Sequence, residues 1–289
     1  MRERDSLHRF IIENSFVRGE MVHLDASWKA ILERNEYPDV VKKQLGDALA
    51  AIALLSATIK FKGKVILQIQ GDGPLHLLVV QATSDNTVRG IARWKGEVPA
   101  GSLSDIFGKA TMLMTIEAEN GTPYQGVIEL KGDALANGIE DYFNRSEQLP
   151  TRLWLASNDD TCAGFLLQEL PNDEKESPEW GHHEQLAATV TAEELLSLSV
   201  KEMLHRLYHE SDVRLFDSEI FSFRCGCSSE RIDSMLLSLG YDEVKHTVQQ
   251  EGKIAVDCEF CNAHYEYDIV DVEQLFASAG QPKGPDTLQ

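Results

Sequence analysis

Two close pairs of cysteines near the C-terminus are the residues of this chain best suited to metal or redox chemistry. One residue separates Cys225 from Cys227, and two residues separate Cys258 from Cys261. Four thiolates supplied as two pairs suit a tetrahedral zinc site, because each pair provides two ligands from one turn of backbone. The same sulfur atoms can also oxidise to disulfides. The spacing therefore leaves open a zinc site, a thiol switch, or both.

The segment that carries these pairs, from Phe221 to Leu275, is so small that a hydrophobic core alone would be marginal. A structural zinc ion contributes about 10–16 kcal/mol of apparent binding free energy at neutral pH. Zinc would join the two pairs across a long loop, whereas a disulfide within either pair closes a loop too short to constrain the chain. If each pair oxidises within itself, we expect loss of the metal and unfolding of the segment. His264 lies nearby but is expected at the surface or beside the site, since four cysteines complete the coordination.

The charge of the chain disfavours two classes of partner. Its 47 acidic residues against 27 basic residues give a formal net charge of −20, which opposes nonspecific binding to nucleic acid or to anionic membranes. The most apolar stretch, residues 48–55, is too short to span a bilayer, and no apolar run of signal-peptide length follows the N-terminus. We therefore expect a reducing cytoplasm, where the paired cysteines remain thiolates on the metal. No role is predicted for the lone Cys162.

The hydrophobic pattern predicts an α+β protein with three domains. Residues 1–171 are expected to form an N-terminal α/β core domain, in which a mixed or antiparallel sheet is packed by helices. Its central helix is predicted at residues 38–60, because the second half of this segment is apolar on nearly every face. The predicted strands are 64–70, 75–82, 87–94, 111–116, 126–130 and 164–170, and a second helix is predicted at 133–146.

Residues 172–220 are predicted to be a helical linker. Residues 171–185 are polar and acidic, and two capping boxes then start short helices, Thr191 with Glu194 and Ser199 with Glu202. Helices this short must dock on another surface to persist. An ordinary connector and a metastable segment that undocks both remain open, and the sequence alone favours the connector.

Residues 221–289 are predicted to be a small four-cysteine zinc domain. A helix is expected at 229–239, ended by Gly240, and strands are expected at 254–257 and 265–268. Residues 277–289 are expected to be frayed.

Motifs along nearly the whole chain resemble one protein family. They lie around both cysteine pairs and through the first 150 residues, at 9–10, 17–20, 37–38, 67–73, 124–127, 142–143, 146–150, 223–228, 236–240, 258–262 and Tyr265. In these segments the chain is similar to the 33 kDa chaperonin family of bacterial redox-regulated heat-shock chaperones.

The resemblance implies a mechanism for the cysteines. The reduced form would be an inactive monomer holding one zinc ion on Cys225, Cys227, Cys258 and Cys261. Oxidation would form the disulfides Cys225–Cys227 and Cys258–Cys261 and release zinc. It would also unfold the zinc domain and linker and produce a homodimer. The opened protein would hold unfolding client proteins without ATP, and it would not be an enzyme.

The apolar linker side chains Leu204, Leu207 and Tyr208 are candidate client contacts. Exposed apolar groups of the large domain are competing candidates.

Two other functions remain as alternatives. A zinc-ribbon module for protein or nucleic-acid binding is disfavoured by nine acidic against four basic residues in 221–270. A thiol-disulfide oxidoreductase usually places its Cys-x-x-Cys at a helix N-terminus, whereas Cys258 and Cys261 are predicted to lie between two strands.

Overall fold

The computed structural model describes residues 4–59, 62–119, 121–130, 132–171 and 178–279. The chain divides into two compact units between Arg224 and Cys225. The first unit combines two six-stranded sheets with helices, and the second combines helices with a two-stranded sheet. The α+β class expected from the sequence is confirmed. None of the helices in the described ranges is long and apolar enough to cross a bilayer.

The elements of the first unit follow one another along the chain as β1 (Ser6–Ile12), β2 (Val17–Leu24), α1 (Ala26–Leu32), α2 (Asp39–Thr58), β3 (Gly63–Gly71), β4 (Leu75–Thr83), β5 (Thr87–Trp94), α3 (Leu103–Phe107), β6 (Ala110–Ala118), β7 (Tyr124–Glu129), α4 (Leu135–Tyr142), a π-helical turn (Phe143–Glu147), β8 (Thr151–Ser157), β9 (Cys162–Glu169), α5 (Pro178–Ala187), α6 (Ala192–Ser197), α7 (Val200–Tyr208), β10 (Val213–Leu215), β11 (Glu219–Ile220) and β12 (Ser222–Phe223). Those of the second unit are α8 (Ser229–Leu239), α9 (Tyr241–Glu251), β13 (Ile254–Asp257), β14 (His264–Tyr267) and α10 (Ile269–Ala279).

Both large sheets are built mainly from antiparallel neighbours. The first sheet has the order β10-β1-β2-β9-β8, with β11 also paired to β1. The second has the order β12-β5-β4-β3-β6-β7, and only its β12–β5 pair is parallel. The turn after Gly71 joins β3 to β4 as a hairpin, with Gln70 opposite Leu77. This hairpin was expected from the short glycine-containing turn.

Helix α2 packs between the two sheets and forms the centre of the core. It contacts β2, β8 and β9 of the first sheet and β3, β4 and β5 of the second. Every residue from Ala48 to Leu55 is buried, because a helix with a sheet on either side has no polar face. Helix α2 lies close to β9, because a Cβ added at Gly164 would lie 2.7 Å from the Leu54 side chain. The predicted helix at 38–60 is confirmed, with its end at Thr58.

The linker helices α5, α6 and α7 pack against the first sheet. Both predicted capping boxes are confirmed: the hydroxyls of Thr191 and Ser199 accept hydrogen bonds from the backbone N–H groups of Glu194 and Glu202. Helix α5 extends into the segment predicted to be polar linker, and residues 172–177 lie outside the described residues. The described part of the linker is therefore helical and docked from α5 to α7, but the helical prediction is wrong for its last residues, where β10 and β11 pair with β1.

The second unit has a small core of its own. Its helix at Ser229–Leu239 ends at Gly240, where φ is +94°, as predicted. The two predicted strands pair as β13 and β14. The buried side chains of this core are Leu236, Val244, Val248, Tyr267 and Val272. The predicted fraying is wrong for 277–279, which belong to α10, and the rest of that prediction lies outside the described residues.

Candidate metal centre

The four paired cysteines come together in the second unit. All four Sγ atoms lie within 4.8 Å of one another. The closest approaches join one pair to the other: Cys225 Sγ lies 3.5 Å from Cys258 Sγ, and Cys227 Sγ lies 3.3 Å from Cys261 Sγ. All four are free thiols and partly buried.

These distances fit a tetrahedral thiolate site. With metal–sulfur bonds of about 2.3 Å, the sulfur atoms of such a site are about 3.8 Å apart, and the four Sγ atoms need little movement to reach that separation. The donor set is complete with four sulfur ligands and leaves no position for a reacting water. The arrangement therefore fits a structural metal ion and not a catalytic one.

Local backbone structure positions each pair. Cys225 and Cys227 precede α8, and Gly226 between them passes close to Arg231: an added Cβ would lie 2.8 Å from its Nη1 atom. A residue with a side chain at this position would displace Arg231.

The second pair lies in the turn that joins β13 to β14. The N–H of Asn262 donates to the carbonyl of Cys258 at 2.7 Å, and the N–H of Cys258 donates to the carbonyl of Ala263 at 2.9 Å. Asn262 adopts a left-handed conformation with φ of +56°, which asparagine tolerates better than most residues. Cys258 and Cys261 are thus in a hairpin turn and do not start a helix.

The thiols have unequal proton affinities. Burial acts to raise the pKa of Cys227, but hydrogen bonds from Tyr265 and the other three thiols lower it to about 7. Burial raises the pKa of Cys225, and burial together with the hydrogen bond to Cys227 raises that of Cys261 to about 12. Metal binding requires thiolates, so it must displace protons from this cluster.

His264 lies beside the cysteine cluster, and Cys162 lies outside it. His264 lies on β14 and forms ion pairs with Asp257 at 2.5 Å and Glu266 at 2.8 Å. Hydrogen bonds to these carboxylates raise its pKa. Cys162 is fully buried at the start of β9 in the first unit, and burial raises its pKa well above the ordinary value. A thiol so rarely ionised is a poor nucleophile.

The candidate client-binding residues all face the first sheet. Leu204, Leu207 and Tyr208 are buried in a cluster that joins α7 to the outer face of that sheet. The Tyr208 ring lies 6.2 Å from the Phe10 ring, which stacks on Phe165 at 5.8 Å. In this structure these side chains are covered by the sheet and unavailable to a client.

Several polar contacts of the docked linker were not found from the sequence. The buried His23 ring places Nε2 2.8 Å from the carbonyl oxygen of Leu195. Arg206 forms an ion pair with Glu194 and donates to the carbonyl of Thr189 at 3.2 Å. The position of Arg206 in the last turn of an amphipathic helix was an available signal, whereas His23 gave none.

Comparisons with known proteins agree with this structure. The family model described as "Hsp33 protein" matches residues 5–268. The 33 kDa chaperonin of Nitrosococcus oceani is 52% identical over 287 residues, covering 99% of both chains. That of Shewanella sediminis is 44% identical over 281 residues, covering 97% of this chain and 98% of the other.

A solved structure shows the same fold. The crystal structure of the 33 kDa chaperonin (heat shock protein 33 homolog) from Thermotoga maritima matches with a TM-score of 0.83 at 22% identity. The match covers 95% of this chain and 99% of the other. With its family match over nearly the whole length and its close relatives, this chain belongs to the Hsp33 family of 33 kDa chaperonins.

Proposed function

We propose that this protein is an oxidation-activated chaperone that holds unfolding proteins without ATP. The observation that carries the proposal is the four-cysteine cluster, within 4.8 Å, in a member of a chaperone family. The docked linker supports it, because the same reduced structure covers a large apolar surface. The cluster would be the sensor, and the covered surface would be the output.

The metal held by the reduced form is proposed to be one zinc ion. Four thiolate ligands at tetrahedral spacing suit zinc better than calcium or magnesium, which prefer oxygen. When bound, zinc supplies structural cross-links and no reaction chemistry. Cys225 and Cys227 would be held to Cys258 and Cys261, which stabilises a unit whose core has five buried side chains among the described residues.

Oxidation is proposed to form one disulfide within each pair. Each pair of zinc-bound thiolates loses two electrons, one hydrogen peroxide accepts them with two protons from solvent and becomes two waters, and zinc leaves as the free ion. The bonds Cys225–Cys227 and Cys258–Cys261 close very short loops, so they do not replace the long-range cross-link. The pKa of Cys227 is about 7, lower than that of Cys225 or Cys261, so more of it is thiolate near neutral pH. Where the metal is absent, Cys227 would therefore react before those two.

Loss of the metal cross-link is proposed to undock the linker helices from the first sheet. Helix α6 has six residues and α7 has nine, and isolated helices of this length are unstable in water. Undocking would expose Leu204, Leu207 and Tyr208 together with the sheet face around Phe10 and Phe165. These two apolar faces would bind the apolar segments of unfolding clients.

The function is tested by light scattering from a client protein that aggregates on heating. The full chain is added either reduced and zinc-loaded or oxidised with peroxide. We expect suppression of aggregation by the oxidised form only, with Cys162→Ser as a matched control that behaves like the unmodified protein. Equal suppression by both forms would show that the cysteine cluster is only structural.

The pairing is tested by mass spectrometry of the oxidised protein after alkylation of remaining thiols. A chelating dye in the same sample should report one zinc ion released per chain. A majority of disulfides joining Cys225 or Cys227 to Cys258 or Cys261 would refute the proposed pairing, since those bonds keep the long-range cross-link.

The assembly state and compartment are also proposals. We propose a monomer when reduced and a homodimer when oxidised, because exposed apolar faces favour self-association. Sedimentation velocity of both forms tests this. The reducing cytoplasm suits a resting state of four thiolates. The net charge of −20 favours neither nucleic acid nor anionic membranes as partners.

A further inference from the structure

A cavity of about 320 Å3 in the first unit has no part in the metal chemistry. It lies where β2 and β9 of the first sheet meet β6 and β7 of the second, next to the π-helical turn. Its lining combines one guanidinium, one carboxylate, apolar side chains, two tyrosine hydroxyls, the Thr58 hydroxyl and the Gln168 amide. We propose that this cavity binds a small monocarboxylate with a flat apolar body.

Arg18 is the group that would hold the carboxylate. Its Nε and Nη2 atoms donate to Gln168 Oε1 at 3.0 and 2.6 Å. Gln168 is fully buried and itself donates to Thr151 Oγ1 at 2.8 Å, so the guanidinium is held in a fixed orientation. The bonds to Gln168 use two of its five N–H donors. The structure records no partner for the Nη1 donors within the described residues, and a planar guanidinium suits a carboxylate.

The apolar side chains of the cavity indicate which kind of ligand body would fit beside the carboxylate. Ile59, Ile116, Phe143 and Leu149 line the cavity and would contact a flat hydrocarbon body. At the other end, the Tyr142 hydroxyl lies 3.0 Å from the Tyr124 hydroxyl and 3.1 Å from Glu147 Oε1. The Glu147 carboxylate would repel a second anionic group, so the site favours a monocarboxylate over a dicarboxylate.

Irregular backbone forms the wall of the cavity that contains Tyr142 and Phe143. The π-helical turn Phe143–Glu147 is followed by Gln148, whose φ is +55°. Single π-helical turns and left-handed residues other than glycine are retained mostly where a site needs them. On the facing strand, an added Cβ at Gly126 would lie 2.7 Å from the Tyr142 ring. Both features keep Tyr142 and Phe143 at the cavity.

The test is a fluorine NMR titration of the full chain, reduced and zinc-loaded, with 4-fluorophenylacetate. The uncharged 4-fluorophenylacetamide is the matched ligand. We expect the acid to bind saturably and at least about tenfold more tightly than the amide, because charge-assisted hydrogen bonds contribute this much. Arg18→Met should remove the preference and leave amide binding within about twofold.

Two further variants make the result specific. Arg89→Met is the control, because Arg89 donates to Gln81 Oε1 at 3.2 and 2.8 Å in the same way but is not part of the cavity lining. It should bind both ligands normally. Leu149→Phe fills the cavity and should weaken both ligands at least tenfold, which keeps the test decisive if Arg18→Met does not fold.

Four outcomes would overturn the proposal: no binding of the acid, equal affinity for acid and amide, a preference for the acid that persists in Arg18→Met, or acid binding unchanged in Leu149→Phe. Because each measurement reads ligand binding alone, the proposal stands or fails independently of chaperone activity.

Discussion

Shortening one buried side chain of the linker should activate the protein without oxidation. Leu207 lies on α7 with only 3% of its surface exposed, and replacing a buried leucine with alanine costs about 2–5 kcal/mol. If this loss of free energy destabilises the docked state alone, the equilibrium between docked and undocked linker shifts by about 30- to 4,000-fold toward the undocked linker. Helices α6 and α7 are too short to resist this change by themselves.

Two measurements on the reduced, zinc-loaded Leu207→Ala protein test this expectation. Hydrogen exchange of backbone amides in residues 192–208 should accelerate, while residues 229–239 remain protected and the zinc content stays at one ion per chain. Light scattering should then show suppression of client aggregation under reducing conditions. Lys201→Ala is the matched control, because Lys201 is exposed on the same helix, and it should stay inactive until oxidised.

Two results would refute the reasoning. If exchange accelerates but suppression still requires oxidation, then undocking of the linker is not what exposes the client-binding surface. If exchange in 192–208 is unchanged, the apolar contacts of Leu207 do not hold α7 on the sheet.

Three more predictions concern the metal, the lone cysteine and a buried carboxyl group. Chelation of zinc under reducing conditions should reduce the helical circular dichroism of the second unit and shift the tryptophan emission maximum to longer wavelength, since Trp154 and Trp180 pack against the buried cluster that undocking of the linker would open; an unchanged emission maximum would show that loss of the metal alone does not undock the linker. In the Cys162→Ser variant, peroxide should oxidise the four paired cysteines at the same rate as in the unmodified protein, because burial keeps the Cys162 thiol protonated and unreactive. In the unmodified protein, alkylation should find the Cys162 thiol intact after the four paired cysteines have reacted. Burial raises the pKa of Glu20 to about 7, so the folded state keeps a proton that the unfolded state has lost, and the native protein loses stability as pH rises from about 4.5 to about 7. Relative to the native protein, Glu20→Gln should therefore gain about 2 kcal/mol between pH 5.5 and pH 8 in urea unfolding followed by tryptophan fluorescence, whereas a gain independent of pH would place the carboxyl in a more polar environment.

The sequence predicted the clustering of the four cysteines because its information is local. Two ligands per turn of backbone are visible in Cys225-Gly-Cys227 and in Cys258 to Cys261, and the structure brings the two turns together. The capping boxes before α6 and α7 were found for the same reason. Helix α2 was recognisable because a helix packed on both sides becomes apolar throughout.

Elements whose pattern depends on distant partners were missed. Strand β2 is buried on both faces and includes the polar Glu20 and His23, so it does not alternate and gives no clear strand signal. Helix α9 buries only Val244 and Val248, which is too few to define an apolar face without knowing what packs against it. The Arg18 cavity also could not be predicted, because its walls come from segments far apart in the chain.

The pairing of β1 has a consequence for how an opened molecule would meet other chains. Strand β1 pairs with β2 along its full length, but its other side pairs with only three residues of β10 and two of β11. If this short return segment leaves together with α7, β1 becomes the edge of the sheet and its outward N–H and C=O groups lose their partners. Such an edge accepts an added strand from any extended polypeptide. Because backbone groups are the same in every protein, this edge would give affinity for unfolded chains whatever their sequence.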